Sequence, residues 1–290
     1  MKHYLPTIYS NQEGFTQLAR LKSIIIHSTD NEIVLNFSRC GFFDANMAAS
    51  LKAVLAIAAS KSKKVSINEL RPGIERVLRK NHFLTEYGFN PLPDTYQTTL
   101  PYRCFQTSDS RDFNQYLKIH LSGKNIPKMS QKLNKKFRES IFEIFENCAT
   151  HSHSTQGIFV CGQYYPQKCR LDLTVSDTGV GIRTNVRRIL DNKTSSVDAI
   201  CWALIEGNTT RTGNQPGGFG LALLQNFIEH NKGKIQIVSR HGYYEFSNGH
   251  NKFEKLEADF PGTTINLEIN TNDDNNYCLS SETTSLEDLF

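Results

Sequence analysis

Asp177-Thr178-Gly179-Val180-Gly181-Ile182 follows a candidate strand at Arg170 to Ser176 and decides how the second half of this 290-residue chain is read. An aspartate at the end of a strand can accept a hydrogen bond from an exocyclic amine, and two nearby glycines let the backbone approach a flat ligand closely. By itself the string also suits a tight turn. Its meaning comes from what stands on either side.

Upstream, Asn134 to His151 reads as a helix whose apolar positions Phe137, Ile141, Ile144, Phe145 and Cys148 fall on one stripe. Glu143, Asn147 and His151 are four residues apart and so stack along one edge of it, where a carboxylate and an amide can share a site. Alone, that edge is an ordinary solvated helix face. A strand at Ile158 to Gln163 comes between this helix and Arg170.

Downstream, a long segment over 183–216 ends in Thr209-Thr210-Arg211 and Gly213-Asn214-Gln215-Pro216, and residues 183–217 read as a mobile lid. Gly217-Gly218-Phe219-Gly220 then opens an apolar helix beginning at Leu221. A glycine-rich helix start offers backbone N–H groups and the positive end of the helix dipole to phosphates. Strands at Lys234 to Arg240 and Tyr243 to Ser247 follow, then Gly262-Thr263-Thr264 leading into a last strand. Neither GxxxxGK[ST] nor GxGxxG occurs, which argues against P-loop and Rossmann sites.

In order and spacing these four segments resemble the N, G1, G2 and G3 boxes of the GHKL superfamily of ATPases (gyrase, heat-shock chaperone, histidine kinase and MutL). The resemblance implies a Bergerat-type α/β sandwich over 131–270, with helices on one face of a mixed sheet, binding ATP with Mg²⁺. It implies Glu143 as the general base and Asn147 as the Mg²⁺ ligand. Asp177 is the implied adenine acceptor, with Gly179 and Gly181 beneath the base and Thr264 close to it. Gly218 and Gly220 are the implied phosphate contacts, and His151, Phe219 and Leu221 lie within the same boxes. Thr209, Thr210 and Arg211 resemble the Thr-Thr-Lys stretch of histidine kinases; arginine keeps the charge but not the geometry of lysine there.

The N-terminal part reads as a small α/β domain over 1–95. Strands SIIIHS and EIVLNF fall within residues 21–37, and Asp44 stands before a helix with Met47, Leu51, Val54, Leu55 and Ala58 on one face. A strand at Val65 to Leu70 and a helix from Pro72 follow. The pattern over residues 20–90 resembles the STAS domain, whose signalling members carry a phosphorylated serine directly after an aspartate placed like Asp44. Here Ala45 stands at that position, without a hydroxyl. Residues 96–130 read as a linker and bridging helix, and 271–290 as an acidic, disordered tail.

A formal charge of +4 from 33 basic and 29 acidic residues is too small to imply a nucleic-acid or membrane partner. The basic stretch Lys124 to Arg138 reads as a solvated helix face, and Cys148, His151 and His153 lack a fourth ligand for a metal site. Seven cysteines without a CxxC pair suit reduced thiols, and the N-terminus lacks an apolar h-region. A cytoplasmic protein is expected. Its expected partners are proteins: a STAS-type or other regulatory protein, or a second copy of the chain. Three readings stay open: an ATPase coupling hydrolysis to partner engagement, a serine kinase resembling anti-sigma kinases through the run Asn147 to His151, and a nucleotide-gated module without turnover.

Overall fold

A computed structural model describes residues 1–205, 207, 208 and 219–282. In the N-terminal part β1 (Lys2–Tyr4), α1 (Gln12–His27), β2 (Glu32–Asn36), α2 (Ala48–Ser60), β3 (Lys64–Asn68) and α3 (Pro72–Lys80) alternate around a three-stranded parallel sheet of order β1-β2-β3. The stretch SIIIHS, expected as a strand, ends α1 instead. Asn11 caps that helix by accepting Gly14 N–H at 2.9 Å, and Phe15, Leu18 and Ile25 continue its buried face through the isoleucines. A cap and a helical period together outweigh the β preference of three branched residues.

The rest of the chain comprises β4 (Thr99–Phe105), α4 (Ser110–His120), β5 (Lys128–Met129), α5 (Gln131–His151), β6 (Ile158–Tyr165), β7 (Arg170–Asp177), α6 (Ile182–Val186), α7 (Ser196–Leu204), α8 (Phe219–Asn231), β8 (Lys234–Ser239), β9 (Gly242–Ser247), β10 (His250–Lys255), β11 (Thr263–Asn270) and β12 (Asn276–Tyr277). Seven strands form one sheet of order β10-β9-β8-β11-β7-β6-β4, antiparallel at every pairing rather than mixed. Residues 96–130 are more than a linker. Here β4 forms the sheet's edge, where Pro101 falls at a register shift between Leu100 and Arg103 and so removes no required ladder bond. The tail is likewise structured through residue 282: β12 pairs with β5, and Glu282 Oε2 accepts from Ser130 Oγ at 2.5 Å and Leu279 N at 2.9 Å.

The helices of residues 131–270 lie on one face of the large sheet, and those of the N-terminal part cover the other. Alternate side chains of the sheet's central strands feed two cores. On one side Ile158, Val160, Leu173 and Val175 meet Phe137, Ile141, Phe145 and Phe227 from α5 and α8. On the other, Phe159, Cys161, Val238 and Tyr243 join a continuous core with Phe15, Leu51, Val54 and Leu55 from α1 and α2. The N-terminal part is therefore packed as the sheet's second cover.

Polar contacts fix that cover in register. Asn46 Nδ2 donates to Thr174 Oγ1 at 3.0 Å and Asn266 Oδ1 at 2.9 Å, and the Asp44 carboxylate meets Arg170 Nη2 at 2.6 Å. Ala45 is fully buried, and its N–H donates to Tyr165 Oη at 3.1 Å. No helix among the described residues is long and apolar enough to cross a membrane.

Candidate functional site

The face of the sheet turned toward α5 opens into a cleft bounded by α5, α6, α7, the start of α8 and the ends of β7 and β11. The cleft holds about 160 Å³, below the roughly 300 Å³ at which small-molecule sites begin. That is room for a planar ring rather than a whole nucleotide.

The helix α5 supplies one wall. Ser130 caps its start by accepting Leu133 N–H at 3.1 Å, and burial of Phe137, Ile141, Ile144 and Phe145 fixes its rotation. With the stripe turned inward, Glu143, Asn147 and His151 all reach the cleft, the first and last half-buried and Asn147 exposed. Their i, i+4 spacing thus becomes a row along its rim.

Asp177 ends β7 at the cleft's floor and is 1% exposed. Its Oδ1 accepts the backbone N–H of Gly179 at 2.7 Å and of Thr263 at 3.3 Å. Burial raises its carboxyl from 3.8 to about 6, against the lowering effect of those donors and of the Cys148 thiol. A desolvated acceptor at the base of an apolar cleft gains most from a donor carried by a group that enters the cleft.

Two glycines are dictated by close packing at this floor. A Cβ on Gly179 would lie 1.9 Å from the Ser152 carbonyl oxygen, and one on Gly262, at φ +61°, would lie 2.4 Å from Asp177 Oδ1. Gly179 therefore seats the turn against the end of α5, whereas Gly181 lines the cleft itself.

Thr264 is not at the site. Strand alternation turns it to the sheet's other face, where its hydroxyl meets Ser176 Oγ at 2.5 Å and its neighbours in that row are Thr174 and Asn266. Thr263 and Ile265 line the cleft instead. The Thr263 hydroxyl lies 3.0 Å from Ser239 Oγ, which also accepts Ile182 N–H at 2.9 Å, so β8, β11 and the start of α6 are tied together.

Within the segment expected as a lid, α6 and α7 are docked helices. Asn185 Nδ2 donates to the His151 carbonyl at 2.9 Å, linking α6 to the end of α5. A capping box of Ser195 and Asp198 starts α7, which contributes Ile200, Trp202 and Ala203 to the cleft wall. Thr209, Thr210, Arg211 and Gly218 lie outside the described residues. Phe219 and Gly220 open α8, and Leu221 reaches the cleft. Sequence reasoning missed Asn185, Thr263 and the α7 wall. The Ser195/Asp198 box was a legible signal for α7.

Residues 132–273 match the family model described as histidine kinase-, DNA gyrase B-, and HSP90-like ATPase. The match begins at α5 and continues past β11, spanning every cleft residue named above. A comparison with curated proteins gave no match.

Proposed function

We propose that the GHKL-superfamily domain at residues 132–273 makes this chain a Mg²⁺-dependent ATPase that couples nucleotide state to engagement of a protein partner. The family match supports ATP binding. The observation that carries the reading further is the pairing of a buried acceptor, Asp177, with a rim of Glu143 and Asn147 in one cleft. Asp177 would accept the adenine amine, and the apolar walls from Ile144, Ile182 and Ile265 would exclude water from the base.

Phosphoryl transfer requires a positioned nucleophile and neutralised phosphate charge. In this reading Glu143 orients the attacking water and takes its proton, while the Asn147 side-chain oxygen holds Mg²⁺. Among the described residues no cluster of three or more His, Cys, Asp or Glu forms a metal cage. A single exposed amide suits Mg²⁺ nonetheless, because that ion usually takes one or two protein oxygens and draws its remaining ligands from phosphates and water. Bound there, it would neutralise charge on the phosphates.

The N-terminal part, in the same reading, is STAS-like. Its parallel β1-β2-β3 sheet with α2 crossing between β2 and β3 supports this, and α1 in place of the expected first strand departs from it. Burial of Ala45 and pairing of Asp44 with Arg170 speak against a phosphoswitch on this chain's own STAS-like part. A STAS-type or regulatory protein, or a second copy of the chain, is the proposed partner. Incubation with γ-labelled ATP and Mg²⁺, with and without cell extract, tests the reading. Release of free phosphate supports an ATPase; label on a protein instead would move the assignment to a kinase, and neither would leave a binding module.

A further inference from the structure

A second cavity, of about 410 Å³, lies away from the nucleotide cleft between α4, the loop 121–127 and the first half of α5. Its charged lining consists of Lys118, Lys124 and Arg138, with no carboxylate among the lining residues described. The other basic residues of α5 are differently placed: Lys135 faces Glu139 at 3.8 Å, and Lys132 and Lys136 lie near Glu282. Arg138 makes no ion pair among the described residues, and its Nε is enclosed without a hydrogen-bond acceptor there. A desolvated guanidinium N–H costs free energy unless an acceptor meets it, and an oxyanion engaging the guanidinium fork is the acceptor that arginine fits best.

The walls are preformed. The ring of Phe113 on α4 stacks on Phe145 of α5 at 4.5 Å, holding the two helices together. The loop is pinned by Asn125 Nδ2 donating to Tyr164 Oη at 2.8 Å and by Lys124 Nζ bonding the Gln97 carbonyl. Leu117, Leu121 and Phe137 give the cavity an apolar side beside its cations. Its volume lies within the range of small-molecule sites.

We infer that this cavity is a binding site for an oxyanion, a phosphate or a carboxylate, carried free or on a short apolar stem. Arg138 supplies the planar fork and Lys118 the outer charge, while Leu117 and Phe137 receive the stem. The site stands apart from the cleft residues and does not depend on the ATPase reading.

The test follows the backbone amide resonances of Ser122, Gly123 and Asn125, which line the cavity, in the ¹⁵N-labelled full chain. Sodium phosphate and, separately, an acetylated leucine–glutamate peptide are titrated against chloride at constant ionic strength. A saturable shift with either probe is expected, weakened ~10-fold or more in Arg138→Gln, and weakened also in Lys118→Gln, which alters only an exposed side chain. Tighter binding of phosphate would identify a free anion, and tighter binding of the peptide an acidic segment of a protein. Lining amides that stay unmoved by both probes, or binding to some other part of the chain that Arg138→Gln and Lys118→Gln leave intact, would overturn the site.

Discussion

Asp177 and Thr263 stand on adjacent antiparallel strands, and the backbone N–H of Thr263 reaches Asp177 Oδ1 at 3.3 Å, closing the cleft floor. The same carboxylate is buried, and burial pushes its pKa up to about 6. Its folded pKa lies above its ordinary value, so the native state binds more protons than the unfolded chain between about pH 4 and 6. Stability from this group is therefore present at low pH and lost as pH rises through that window, by on the order of 3 kcal/mol. In the absence of nucleotide, Asp177→Asn should raise the melting temperature at pH 7.5 and change it much less at pH 4. Equal shifts at both pH values would show that Asp177 carries no such penalty.

The rim residues should fail in different ways. Glu143→Ala is expected to lower hydrolysis by ~10²–10⁴-fold while leaving nucleotide affinity nearly intact. Asn147→Ala should weaken Mg²⁺-dependent binding as well as turnover. Calorimetry beside a phosphate-release assay separates the two; matching losses of affinity in both variants would remove the division of labour.

Strand parity gives a sharper contrast. Thr264→Val should leave nucleotide affinity within about threefold of wild type and cost ~1 kcal/mol of stability, because it breaks a buried hydroxyl pair behind the sheet. Thr263→Val should do the reverse, weakening nucleotide binding more than stability, since its hydroxyl helps hold Ser239 and the start of α6 at the cleft. Titrating ATP into both variants decides between them.

The helix α5, strand β7 and the turn after it were legible in the sequence because apolar period and glycine spacing are local properties. Thr264 was misplaced by one residue, since parity in β11 is set by its pairing with β7 and β8 and not by its own sequence. In β4, Pro101 and neighbouring threonines hid a strand that an edge position tolerates. The joining of the two parts was invisible for a different reason: Asn46 meets Thr174 and Asn266 across 128 and 220 residues, and nothing local marks such a contact.

That junction predicts how the chain unfolds. Arg170 bridges Asp44 from the N-terminal part and Asp172 of its own strand, and Asp172 is fully buried, with burial holding its carboxyl well above the usual range. Arg170→Met should cost ~3–5 kcal/mol by stranding buried carboxylates, whereas Asp172→Asn should be nearly neutral. With a core shared across the sheet, urea unfolding followed by Trp202 fluorescence and by far-ultraviolet circular dichroism should give coincident transitions. Two separated transitions would show that the N-terminal part folds on its own.

The proposed function stands or falls on ATP binding in this cleft with its base on Asp177. Calorimetric titration of ATP with Mg²⁺ into wild-type protein and Asp177→Asn decides it. Wild type should bind saturably, and the variant should bind ~10- to 100-fold more weakly, the loss of a charge-assisted hydrogen bond of ~1.5–3 kcal/mol. Affinity unchanged by the substitution, or no saturable binding by wild type at millimolar ATP, would contradict the account.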